Sequence, residues 1–263
     1  MIRLTTNPSE PLLDLLHREN ILIDGLEVGP WLSLRQIRAY RKTLPDIPFY
    51  FHGSNMIEGI GLIPGTVSKI KAYRKATASP WVSMHISMWL PGMVWLMLRY
   101  GWRMPLPDPE RATRGFIQKA SRLVRSLDVP VLLENIEPRP FEGYIFESQT
   151  ARITRVLEET GCGLLLDLGH ARISADVLGM DGKDYLAALP LHRVMQIHVS
   201  GPRMRAGHLV DSHELLTDAD YELLDFVLAR TRPQVVTLEY ILERNALRDQ
   251  LSRLRRALGA LPG

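Results

Sequence analysis

Cysteine is nearly absent from this chain: Cys162 is the only one. A single thiol excludes an intramolecular disulfide framework, so packing must hold the fold, and a reducing, cytoplasmic setting is expected. Long apolar runs are missing too. The longest, SMWLPGMVWLMLRY from Ser87 to Tyr100, is broken by Pro91 and Gly92 and ended by Arg99. It is too short to span a bilayer, so no membrane is expected. The N-terminal MIRLTTNPSE has no apolar core of the secretory type. Neither sign of charge dominates: 32 Lys+Arg stand against 29 Asp+Glu, for a formal net charge of +3. That excess is too small to imply a nucleic-acid partner. There is no low-complexity tract, no internal repeat and no linker.

What is present alternates. Short apolar or β-branched runs occur at Ile2–Thr6, Gly25–Gly29, Pro48–Gly53, Trp81–Ser87, Pro130–Ile136, Gly163–Gly169, Val194–Gly201 and Gln234–Tyr240. Stretches of helical length separate most of them: Pro11–Arg18, Leu32–Leu44, Val67–Thr77, Pro109–Leu127, Ser148–Thr160, Lys183–Leu189 and Tyr221–Arg230. Thr217 and Asp220 have capping-box spacing, and Leu247, Leu251, Leu254 and Leu258 share one face of a final helix. Eight strands alternating with helices predict a parallel sheet. At this length, the expected fold is an α/β (β/α)8 TIM barrel filling residues 1–263 as one domain. A doubly wound open sheet is the alternative. Both architectures put chemistry at the C-terminal ends of strands.

Those ends repeat a theme. FYFH stops at His52, WVSMH at His85, VLLE at Glu134, LLLD at Asp167 with His170 just beyond, MQIH at His198 and VTLE at Glu239. The loop after the seventh strand adds LVDSHE, in which Asp211 and His213 are two apart and so point the same way in an extended backbone. In a barrel these nine side chains converge on one rim. Each alone suits a hydrogen-bonded core or rim residue, but five of the eight histidines fall in these slots. Carboxylates gathered away from water repel one another and are costly unless paired or coordinated. Nine ligands exceed what one tetrahedral ion takes. Two to three divalent metal ions are therefore expected, with Glu134 as the candidate bridge. His17, His192 and His208 are read as ordinary surface or loop residues.

The order His52, His85, Glu134, Asp167 with His170, His198, Asp211-x-His213, Glu239 resembles the ligand order of the xylose-isomerase-like TIM barrels. Two branches are similar. One is endonuclease IV, a zinc phosphodiesterase. The other is the multinuclear non-haem iron enzymes that oxidise cysteines in ribosomally made peptides, as in methanobactin biosynthesis. The second is closer in FHG, LLEN, GCGLLLDL, IHVSG, LVDSHE and TLEY, with the strongest likeness from Pro130 to Tyr240. It departs at Gly169-His170, where the peptide-modifying enzymes commonly carry two asparagines.

The resemblance implies three sites: His52, His85 and Glu134; Glu134, Asp167, His198 and Glu239; and His170, Asp211 and His213. It implies Glu134, Asp167 and His198 as the catalytic set and iron as the first choice of metal, with zinc or manganese as alternatives. The activity implied is oxidative modification of a cysteine or related thiol in a peptide or small-molecule substrate. A zinc phosphodiesterase and a metal-dependent sugar isomerase or epimerase are the alternatives.

Other residues carry paired readings. Glu27 either orients a ligand histidine or sits in a buried salt bridge. Asn135 either contacts substrate or holds a loop. Arg203 and Arg205 either bind a substrate carboxylate or phosphate or are solvated loop charges, and Asn55 is a weaker candidate of the same kind. The Met88–Pro107 insertion, rich in Trp and Met, is either a rim groove for a peptide or partner protein or packs into the protein's own core or a homodimer contact. The densest basic stretch, Lys69–Lys75, is expected away from the ligands, which disfavours nucleic acid.

Overall fold

The computed structural model describes residues 1–19, 21–87, 99, 108–138 and 142–259, without the side chains of 142–144. Strands β1 (Arg3–Thr6), β2 (Gly25–Val28), β3 (Phe49–His52), β4 (Val82–His85), β5 (Val131–Glu134), β6 (Gly163–Asp167), β7 (Val194–Val199) and β10 (Val235–Leu238) are parallel and close into a barrel. Closure is made by β1, which pairs with β2 on one side and β10 on the other. That pairing excludes the open sheet. The surrounding helices are α1 (Glu10–Arg18), α2 (Leu34–Thr43), α3 (Thr66–Thr77), α4 (Pro109–Ser126), α5 (Thr150–Thr160), α6 (Leu168–Leu178), α7 (Gly182–Ala187), α8 (Asp218–Leu228) and α9 (Arg244–Gly259).

Helix starts follow local chemistry. The side chains of Ser9, Asp108 and Asp181 accept backbone N–H bonds at the first turns of α1, α4 and α7. Ser33 with Gln36, and Thr217 with Asp220, form full capping boxes at α2 and α8. Such caps satisfy N–H groups that the helix itself leaves open. Most of the core lies between barrel and helices, where residues such as Leu4, Leu26, Phe51, Leu133 and Leu166 pack on Leu15, Ile37, Phe116 and Leu157.

Inside the barrel a smaller cluster of Tyr50, Trp81, Leu132, Leu165 and Val235 forms a plug. Strand side chains alternate faces. Counting two residues on from each plug residue gives His52, Ser83, Glu134, Asp167 and Thr237, so the layer above the plug is polar. Register levels these residues around the ring. His85 pairs with Glu134 across β4–β5, and Asp167 pairs with His198 across β6–β7.

Two expectations need correction. The segment after the seventh strand is an antiparallel hairpin, β8 (Gly201–Arg205) with β9 (His208–Glu214), where a loop was expected. Helix α6 starts directly after Asp167 and has no counterpart among the expected helices. Asp167 ends β6 and also caps α6, its Oδ1 accepting the His170 N–H at 2.6 Å, so no loop residues mark the junction. The Met88–Pro107 insertion, apart from Arg99, lies outside the described residues. Among the described residues no helix is long and apolar enough to cross a membrane.

Candidate metal centre

At the C-terminal mouth of the barrel, the Nε2 atoms of His52 and His85 lie 3.0 Å apart. Each is 3.4 Å from Glu134 Oε2. The outer ring nitrogens fix the tautomers. His52 Nδ1–H donates to Ser83 Oγ at 3.0 Å, and that hydroxyl donates onward to the Phe51 carbonyl. His85 Nδ1–H donates to Asn55 Oδ1 at 3.1 Å. Both Nε2 atoms then present lone pairs to a carboxylate oxygen. Two imidazole nitrogens and a carboxylate oxygen thus face one another within 3.4 Å, a set that could hold a cation. Burial pushes the pKa of His85 down to about 4, which keeps its lone pair free at neutral pH.

The second group meets the other oxygen of the same carboxylate. His198 Nε2–H donates to Glu27 Oε2 at 3.0 Å, deep in the barrel. This leaves Nδ1 aimed at Glu239 Oε1 (3.3 Å), Glu134 Oε1 (3.6 Å) and Asp167 Oδ2 (3.9 Å). Glu134 Oε2, Asp167 Oδ2 and His198 Nδ1 are all buried without a hydrogen-bond donor. Buried polar atoms in native proteins are nearly always satisfied. Three such atoms within one cup fit the needs of a cation, and these side chains could hold metal ions. Burial raises the Asp167 carboxyl to about 7, since an ionised acid there lacks water.

The third group is more open. His170 Nδ1–H donates to the Asn135 carbonyl at 2.9 Å, while Nε2 stands 3.6 Å from Asp211 Oδ2. Asp211 Oδ2 is also 3.2 Å from His213 Nδ1, and His213 Nε2 is 3.3 Å from Glu239 Oε2. The bond to Glu239 raises His213 to about 9. Glu239 is held down at about 2: burial opposes this, but His198 and His213 prevail. Burial works against protonation of His170 and His198 as well, yet surrounding carboxylates lift both well above the ordinary range. Protons there stand in for the positive charge that divalent ions would bring. All nine expected ligands thus meet in one mouth. His213 takes a positive φ of 47°, so simple strand alternation does not govern its direction.

Other expectations fare differently. Glu27 is fully buried beside His198, as just described. The Asn135 carboxamide is taken up by backbone: Nδ2 donates to the Asp167 carbonyl and Oδ1 accepts the Asp167 N–H, both at 2.9 Å. It holds the end of β6, and a substrate contact from it does not fit. Asn55 serves His85. Arg203 and Arg205 are tied down by Glu214, at 3.3 and 2.8 Å, and Arg203 also donates to the Leu215 carbonyl. Their charges brace the hairpin, which leaves little for a substrate anion.

Residues 18–259 match the family described as RiPP precursor modification enzyme MbnB/TglH/ChrH. The chain belongs to that family. A UPF0276 protein of Rhizobium meliloti is 29% identical, covering 93% of this chain and 80% of its own length. Another from Pseudomonas aeruginosa is 27% identical over 92% of this chain and 88% of its own. Among solved structures, a D-tagatose 3-epimerase-like protein superposes with a TM-score of 0.63 at 13% identity, covering 98% of this chain and 97% of its own. A xylose isomerase-like TIM barrel protein from Mycobacterium smegmatis, in complex with magnesium, gives 0.59 at 12% identity, with 98% and 96% covered. The fold is therefore that of the xylose isomerase-like TIM barrels, and the family and its fold neighbours are enzymes.

Three residues of this centre went unread in the sequence. Ser83 and Gln196 each sit two positions before a histidine of the cluster, so strand alternation could have flagged them. Gln196 Nε2 donates to Glu27 Oε2 at 2.5 Å, and its Oε1 accepts the Trp81 indole N–H at 2.9 Å. Glu137 approaches His170, and nothing periodic in the sequence announces it.

Proposed function

We propose that this chain is a multinuclear metal-dependent oxidoreductase that modifies a cysteine thiol in a ribosomally made precursor peptide. Two to three divalent ions, iron first, would be held by His52, His85, Glu134, Asp167, His170, His198, Asp211, His213 and Glu239. The observation that carries this reading is the set of buried imidazoles and carboxylates, several of their atoms without a hydrogen-bond partner, converging on the two oxygens of Glu134. Membership of the precursor-modifying family supports the substrate class.

Two imidazoles and one carboxylate are the donor set of non-haem iron sites with open positions, and iron bound there supplies oxidation by dioxygen. The chain's own residues do the rest. Glu134 ties the first two groups together. Glu27 holds His198 in the tautomer that frees Nδ1. Ser83 and Asn55 do the same for His52 and His85. Glu134, Asp167 and His198 are the residues placed to border the reacting atoms.

The thiol must come from the substrate. Cys162 is buried at the start of β6, at the opposite end from Asp167, and burial pushes its pKa up to about 11. At the mouth, half-exposed Trp31, whose ring centroid is 6.3 Å from that of His52, offers an apolar face for a peptide side chain. A cytoplasmic location belongs to this reading.

The test is anaerobic purification, metal analysis and Mössbauer spectroscopy, followed by exposure of a cysteine-bearing peptide and dioxygen to the protein with mass readout. Two to three irons per chain and an oxidised peptide are expected. Zinc alone with phosphodiester cleavage would replace this reading with hydrolysis. A protein that takes up no metal would end both.

A further inference from the structure

We propose that Glu137 is a ligand of the third metal ion, alongside His170, Asp211 and His213. The inference rests on the reading that the barrel mouth holds metal, and adds a residue that the ordered strand-end pattern does not contain.

His170 is fixed at both ends of its reach. Its backbone N–H is held by Asp167 Oδ1 at 2.6 Å, and its Nδ1–H by the Asn135 carbonyl at 2.9 Å. The ring is buried, and Nε2 is its only uncommitted atom. That atom faces Glu137 Oε2 at 3.1 Å and Asp211 Oδ2 at 3.6 Å. With Nδ1 committed to the Asn135 carbonyl, Nε2 is the ring atom through which His170 can reach an ion. Asp211 Oδ1, meanwhile, is buried without a partner.

The donors run in a line, Glu137 to His170 to Asp211 to His213, with steps of 3.1, 3.6 and 3.2 Å. Each step brings a carboxylate oxygen against an imidazole nitrogen, the two kinds of donor that a divalent ion takes. Glu137 lies three residues past Glu134 where the chain leaves β5, so the segment that supplies the central carboxylate also supplies this one. Its side chain is 40% exposed, which gives it room to swing onto an ion. Oxygen and imidazole donors of this kind suit iron, manganese or zinc.

The competing account is a simple ion pair, with Glu137 accepting from a protonated His170 and no metal involved. Metal titration separates the two. Metal-free wild type and the E137Q and E137A variants would be titrated anaerobically with Fe2+, and separately with Mn2+. Bound ions would be counted after gel filtration, and circular dichroism would check the fold. Wild type is expected to bind three ions, and both variants to bind the last at least ~10-fold more weakly while the first two are unchanged.

An unchanged third affinity in the variants overturns the proposal and leaves the ion pair. Loss of all ions together in correctly folded variants overturns a local role for Glu137. A wild type that binds two ions, with variants identical to it, sinks this inference alone. A wild type that binds none sinks the proposed function with it.

Discussion

Replacing Asp167 by Asn should stabilise the metal-free protein and weaken the metal-loaded one. Asp167 is fully buried, its Oδ2 has no donor, and its carboxyl is raised from 3.8 to about 7. The raised value means that the fold holds a proton which the unfolded chain releases near pH 4. Stability from this group is intact below the unfolded value and is lost as pH rises through about 7. A gap of roughly three units at ~1.4 kcal/mol each, shared with its neighbours, puts the penalty on the order of 2–4 kcal/mol above neutrality.

Asn carries no charge, and its Oδ1 can still accept the His170 N–H. Its amide can donate toward Glu239 or His198. At about 2 °C per kcal/mol for a chain of this size, metal-free D167N should melt ~4–8 °C above wild type at about pH 8, and near wild type at about pH 4. Added Fe2+ or Mn2+ should reverse the order, because Asn is a poor ligand. Wild type gains ~2.7 kcal/mol from one ion at 100 times its Kd, and the variant should lose most of that gain. Thermal melts with chelator and with metal, at both pH values, are the assay. Metal-free D167N that melts below wild type at high pH would refute the reasoning.

Two further outcomes follow from the same geometry. Glu27→Gln keeps an acceptor near His198 Nε2 but removes the charge, so metal affinity should fall ~10- to 100-fold, read by competition with a chromophoric chelator; unchanged affinity would count against Glu27 as the residue that orients His198. Gly201→Ala places a Cβ 2.2 Å from the Leu215 carbonyl and 2.6 Å from that of Glu214, both backbone atoms. It should cost ~1–3 kcal/mol and shift the hairpin enough to lose the ion near Asp211 and His213 while ions at His52 and His198 remain. An unchanged metal count would show that the hairpin does not hold that ion.

The barrel and the convergence of histidines and acids on its rim were legible because each strand carries its own parity. His52, His85, Glu134, Asp167 and His198 all close apolar runs, and one face of every strand must point inward. Parity stops where the strand stops. Glu137 lies beyond β5 in irregular backbone, so its approach to His170 depends on a turn that no repeat encodes. Helix α6 is hidden in the sequence because LGHARIS carries its histidine inside the first turn, and Asp167 fills two roles that are usually spread over a loop. Asn135 and Arg203 looked like rim residues with free polar groups. Whether such groups are free depends on partners far away in sequence: the Asp167 backbone for one, Glu214 and the Leu215 carbonyl for the other.

The shared residue at the end of β6 makes this corner of the protein intolerant of length change. With no slack between strand and helix, an extra residue after Asp167 would turn the helix by about 100° and carry the imidazole of His170 off the mouth. Surface loops elsewhere can drift in length over evolutionary time, but here the spacing of acid and imidazole is fixed by the pitch of a helix. A relative with an insertion at this corner would have to bring an imidazole to the mouth from another element, or do without one.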